Sequence, residues 1–282
     1  MTATVTGLTL RDGYGFDLAG GVLNNGHLTL DHVVVADNTV TTGAIEFWKG
    51  GAGIYNGDGA TLVLRDSTVR DNTVTGGAGG GVYGFFNSTV TIERSTISGN
   101  SANDVGGGIR SLGNTTIVNS TISGNTSTGW HGGGVFHTDG AMTISSSTVT
   151  GNTAPGGTAG GLFLGSFGAP NGSASLQGSI VSGNSGGECI VFYGGAFAME
   201  SLGANVLGDA TCGAAASTDV VVDDALLGPL ADNGGPTLTH ALLPGSPALD
   251  AGDASGPDTD QRGVARPQGA GPDAGSFELE VA

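Results

Sequence analysis

Three pairs of titratable residues stand at the same place in three successive stretches of the chain: Asp31-His32, Arg65-Asp66 and Glu93-Arg94. Asp37, Arg70 and Asp71 lie close by. A carboxylate or imidazole beside an arginine can do acid–base work on a sugar chain, the base taking a proton while the cation steadies the developing charge. Paired carboxylates can instead hydrolyse a glycosidic bond. These six residues are the candidate catalytic set of a polysaccharide lyase or glycoside hydrolase. Opposite charges at equivalent positions also have a plainer reading, as surface ion-pair ladders. A polyanionic substrate would meet a chain of net charge −17, which counts against catalysis.

The pairs belong to six stretches that align without gaps: 28–40, 62–74, 90–102, 115–127, 142–154 and 174–186. One column is Asn throughout: Asn38, Asn72, Asn100, Asn125, Asn152 and Asn184. The Asn-to-Asn steps are 34, 28, 25, 27 and 32 residues, the mark of a solenoid. Each repeat carries two apolar patches, at Leu30 and Val35 in the first copy, flanked by Ser and Thr in period-2 alternation. A third strand follows each glycine cluster, as in Gly79-Gly80-Gly81-Val82-Tyr83. The expectation is all-β: a three-faced parallel β-helix of about 27 residues per coil, right-handed by the bias of parallel crossovers. The glycine clusters read as corners needing positive φ. The Asn column has a structural role, as a left-handed corner residue or as a coil-to-coil hydrogen-bond ladder.

Alternation also assigns faces. With Val82 and its equivalents inward, Leu23, Tyr55, Tyr83, Arg110, Phe136 and Phe163 point outward, with Phe47, Trp48, Phe85, Phe86, Trp130 and His131 near them in sequence. Exposed, this stripe could stack a polysaccharide or cell-surface glycan. Covered by loop insertions, it would be a satellite core. A second outward face carries Thr68, Thr96, Ser98, Thr121, Ser123, Thr148 and Thr150. Such rows hint at ice binding, but Arg70 interrupts them and Ile180 ends the Thr column.

Glycine is 56 of 282 residues, yet the ordered aliphatic columns argue against disorder. The acidic balance excludes nucleic acid as a partner, because phosphate binding needs a basic patch. Nothing reads as a membrane span or signal peptide. Met1 opens inside a repeat-like strand, so a targeting segment and an N-terminal cap are expected upstream. Cys189 and Cys212 lie 23 residues apart, just under one repeat, which would place them on adjacent coils. They form either a disulfide, implying an oxidising compartment, or two buried thiols.

Residues 1–215 read as coils and 216–282 as a capping segment of the same domain, packed on the last coils. Seven prolines from Pro229 to Pro272 would blunt the open end of the solenoid. Arg262 and Arg266 stand among Asp250, Asp253, Asp258, Asp260 and Asp273, as ion pairs fastening the cap. The carboxylates of Asp250, Asp253, Asp258 and Asp260 could alternatively hold Ca²⁺; no cofactor is required.

The repeats, of the type Gly-Gly-Gly-Ile-Tyr…Ser-Thr-Ile-Ser-Gly-Asn, resemble bacterial surface β-helix proteins, including the polymorphic outer-membrane type. The tail 227–278, with Asp232-Asn233-Gly234-Gly235-Pro236, Leu243-Pro244-Gly245-Ser246-Pro247-Ala248-Leu249-Asp250-Ala251-Gly252 and Asp260-Gln261-Arg262-Gly263, is similar to that of the choice-of-anchor Q domain proteins. The Cys189…Cys212 pair fits that family, while a further Cys pair common near Pro257 and Pro272 is absent here. The resemblance implies export and a secreted or cell-surface role, and carries over no catalytic set. The expected protein is a monomeric, non-catalytic adhesion or scaffold β-helix with no membrane insertion in this segment.

Overall fold

The computed structural model of the protein describes residues 1–43, 48–154, 159–165, 172–192, 197–212 and 216–280. Among these the strands stack into four parallel sheets, each strand pairing with its equivalents one coil before and after. The first sheet has eight strands, from Thr2–Thr6 to Ala198–Gly203, and the second nine, from Thr9–Arg11 to Val220–Val221. A third, of five short strands, runs from Tyr14–Phe16 to Thr126–Ser127, and a fourth, of seven, from Val22–Asn24 to Cys189–Phe192. The short third sheet adds a side to the three-strand coil expected from the repeat. It forms because Thr-Val-Thr follows the Asn corner, and Val40 and Val74 turn inward there.

The predicted inward columns are the core. Leu30, Leu64, Ile92, Ile117, Ile144 and Leu176 stack on one side, and Val35, Val69, Ile97, Ile122, Val149 and Val181 on the next, all buried. Each such side chain contributes roughly 1.5–3 kcal/mol of burial. Parallel register holds them in line, with Leu30 opposite Leu64 and Leu64 opposite Ile92.

Two buried ladders brace the corners. Each Asn passes its side-chain amide to Oδ1 of the next, from Asn38 to Asn184, and Asn184 ends the series on Glu188 at 2.6 Å. The left-handed turn belongs to the residue before each Asn: Asp37, Asp71, Gly99, Gly124, Gly151 and Gly183. Of the two explanations for the column, the ladder holds and the left-handed corner does not. A second ladder was not anticipated. Ser67, Ser95, Ser120, Ser147 and Ser179 each accept the backbone N–H of the preceding coil's equivalent residue, at 3.0–3.2 Å.

The glycine clusters serve two needs. The first glycine turns at positive φ, as at Gly106 (65°). The next approaches a neighbouring backbone: a Cβ on Gly107 would lie 2.4 Å from the Thr126 carbonyl.

The C-terminal segment is more than an end cap. It folds back along the outer face of the second sheet as far as Arg94, whose carbonyl accepts the Thr237 hydroxyl at 3.1 Å. Its antiparallel hairpin, Leu227–Ala231 with Thr239–Leu242, brings His240 within 2.9 Å of the Ser123 hydroxyl. Gln261 donates to Thr96 at 3.0 Å and accepts from Thr121 at 2.7 Å. Thr96, Thr121 and Thr148 are therefore buried, which removes the flat Thr face that ice binding requires.

Candidate functional site

The charged corner lies where the first sheet turns into the second. His32, Asp66 and Arg94 are equivalent residues on consecutive coils, and all three turn at positive φ (54°, 48° and 44°). Asp31, Arg65 and Glu93 precede them, in register across the first sheet. The groups engage one another. Arg94 grips both oxygens of Asp66 at 2.8 Å. Arg65 Nε donates to Glu93 at 3.0 Å, and His32 Nδ1 contacts Asp31 Oδ1. Arg70 pairs with Asp71 at 2.6 Å. The six sequence candidates are thus brought together, at one corner and largely as ion pairs. Among the described residues, Asp31, His32 and Asp66 are also the one trio of His, Cys, Asp or Glu whose ligand atoms lie within 4.8 Å of one another.

From Tyr55 to Phe163 the outward column of the fourth sheet is covered, which corrects the exposed stripe there; Leu23, on the first coil, stays exposed. Tyr55, Tyr83, Arg110, Phe136 and Phe163 are buried because segments on both sides of the sheet fold over them. Phe85 and Phe86 pack on the tyrosines, and Val105, Ala78 and Ala159 pack beside Phe136 and Phe163. Phe136 and Phe163 stack at 4.5 Å, and His131 stacks on Phe163 at 4.7 Å. Trp48 and Trp130 stay 52% and 61% exposed at the edges of this satellite core, and Phe47 lies outside the described residues.

Arg110 is the charged member of that core. Its guanidinium lies 4.7 Å from the Phe136 ring centre and 5.9 Å from that of Tyr83. Asp104, on the neighbouring loop, is fully buried, and neither carboxylate oxygen has a hydrogen-bond partner. Burial pushes its pKa up, and the Arg110 charge pulls it part of the way back. Burial likewise raises Tyr83. His137, on the same sheet, donates to or accepts from Ser111 at 3.1 Å, and burial lowers its pKa to about 4. Neither Asp104 nor His137 was singled out by its sequence, because nothing in the repeat marks their burial.

In the C-terminal segment Arg262 pairs with Asp260 at 2.8 Å and lies over Phe277 at 3.7 Å. Arg266 pairs with Glu278 at 3.5 Å. Ion-pair fastening is the arrangement found, with Glu278 an unanticipated partner. The four carboxylates offered for Ca²⁺ do not converge. Asp260 is occupied by Arg262 and by the N–H groups of Val264 and Glu278; Asp253 takes Gln177 and Ser255, and Asp250 takes the Gly271 N–H. Asp253, Asp258 and Arg266 line a pocket of about 190 Å³. Cys189 and Cys212 form the disulfide, with Cα atoms 4.7 Å apart.

A family model described as the right-handed β-helix region matches residues 3–202. The chain belongs to the right-handed β-helix family. No curated protein and no solved structure matches it. The matched stretch covers most of the coils; the last second-sheet strands, Val206–Leu207 and Val220–Val221, and the C-terminal segment lie outside it. The fold accommodates extracellular scaffolds and enzymes alike, so function has to be argued from the site.

Proposed function

We propose that this β-helix is a non-catalytic scaffold or adhesion protein of the bacterial surface or secreted kind, of the choice-of-anchor Q type, that contacts glycans. The supporting observation is the pairing of Asp66 with Arg94 through both carboxylate oxygens, beside Arg65 paired with Glu93. A general base needs a lone pair aimed at substrate within a site that excludes water. These carboxylates are turned towards arginines on an open corner instead. The disulfide fits an oxidising compartment. Trp48 and Trp130 supply exposed rings on which a sugar face can stack.

The test is incubation of the protein with acidic and neutral polysaccharides, with and without Ca²⁺, following new reducing ends and unsaturated products. No turnover is expected. Turnover abolished by Arg65→Ala or Asp66→Ala would establish a lyase or hydrolase. Retardation on glycan-containing gels, weakened in Trp48→Ala or Trp130→Ala, is the expected binding result.

A further inference from the structure

We propose that Asp31, His32 and Asp66 bind one divalent transition-metal ion at the corner between the second and third coils. The solenoid itself builds the site. His32 and Asp66 are the same corner position one coil apart, and coil stacking sets them one above the other. Asp31 is the last residue of the strand that leads into His32. One ligand atom from each lies within 4.8 Å of the other two. Neighbouring ligand atoms on one ion with bonds of about 2.1 Å lie about 3.0–3.4 Å apart, so these side chains must close by up to about 2 Å, within reach of rotation about their side-chain bonds.

The donor set decides the kind of ion. One imidazole nitrogen and two carboxylate oxygens suit Zn²⁺ or Mn²⁺ rather than Ca²⁺, which takes six to eight oxygens. The neighbours leave the set usable. Register places Arg65 opposite Asp31, yet Arg65 turns to Glu93, so among the described residues Asp31 has no arginine partner and its Oδ1 contacts His32 Nδ1. Arg94 takes one lone pair from each Asp66 oxygen and leaves a second on each. Its grip fixes the carboxylate plane, as outer partners of metal ligands do. The His32 side chain is 61% exposed, which leaves the remaining coordination positions open to water or to a ligand on a partner. The net charge of −17 raises the local cation concentration.

The experiment is isothermal titration of the untagged chain with ZnCl₂ and, separately, MnCl₂ at neutral pH. One saturable site is expected, weakened at least about tenfold by His32→Ala or Asp31→Asn. His27→Ala, an exposed histidine on the same strand, should bind as the parent does. Melting without metal checks that the variants fold, and His32→Ala should melt with the parent. No saturable binding up to about 1 mM metal would overturn the proposal, as would unchanged affinity in His32→Ala.

Discussion

The side-chain amide of Asn100 donates to Oδ1 of Asn125 on the next coil at 2.9 Å. Asn125 also accepts the Asn100 backbone N–H at 3.0 Å, and it donates to the Ile97 carbonyl and to Asn152 Oδ1, each at 2.9 Å. Every polar atom of its side chain is thus used, and the residue is fully buried. Asn125→Ala should therefore cost about 3–5 kcal/mol, since several buried partners lose their hydrogen bonds at once. Thr116→Ala, at an exposed position of the same coil, should change stability by less than about 0.5 kcal/mol. Urea denaturation measures both, and similar midpoints for the two variants would refute the ladder's importance.

The Cys189–Cys212 bond ties the last strand of the fourth sheet to the short 3₁₀ turn Ala210–Cys212. It closes a segment of 23 residues, and limiting the freedom of the unfolded chain over that length is worth about 3 kcal/mol. Thermal unfolding should drop in reductant for the parent. The Cys189→Ala/Cys212→Ala double variant should start lower and show no further response. A reductant response in the double variant would point to a cause other than this bond.

His137 and Asp104 should give opposite pH dependences. Burial lowers the His137 pKa from 6.5 to about 4, so between those values the unfolded chain holds the extra proton. The contribution is present in full above pH 6.5 and is lost as pH falls towards 4, on the order of 3 kcal/mol in total. Asp104 is raised by burial, so there the folded chain holds the extra proton, and stability increases as pH falls through its folded value towards the ordinary carboxylate range. Urea midpoints at several pH values should show His137→Leu flattening the loss below pH 6.5. Asp104→Asn should raise the midpoint at neutral pH, and by less on acidification. Parallel curves for parent and His137→Leu would contradict the first assignment.

The sequence made the coils legible because inward residues obey one rule in every copy. Leu30, Leu64 and Ile92 face the same core, and the repeat records that directly. The serine ladder was equally visible, at Ser67, Ser95, Ser120, Ser147 and Ser179, but Ser between two strands has a ready explanation as a turn residue. Coverage is a different kind of property. Whether Tyr83 or Thr121 meets water depends on where insertions and the tail fold, and neither is periodic. Alternation could place Arg110 outside its strand; only the packing of Val105 and Phe136 shows that outside is buried. The charged corner shows the intermediate case. Repeat register brought Asp31, Arg65 and Glu93 into line, while the choice of Glu93 over Asp31 by Arg65 is set by side-chain geometry.

The strap along the second sheet is fastened towards the middle of the solenoid by polar groups rather than by an apolar core. Its hydrophobic contacts gather at the other end, around Ile180, Val206, Leu242 and Phe277. Gln261 supplies the central fastening, reaching Thr96, Thr121, Thr237 and the Leu238 carbonyl. Such bonds exchange with water on release, so each contributes only about 0.5–1.5 kcal/mol net. Gln261→Ala should consequently free the hairpin at 227–242 and uncover Thr96 and Thr121 without unfolding the coils. Hydrogen exchange should rise in the hairpin and in 259–264 while the first-sheet strands keep their protection. Asp260→Ala is the harsher contrast, because it strands the buried Arg262 cation, and it should cost about 3–5 kcal/mol. Loss of protection in strap and coils together in Gln261→Ala would mean that the two unfold as one unit, with no separable cover over the threonine face.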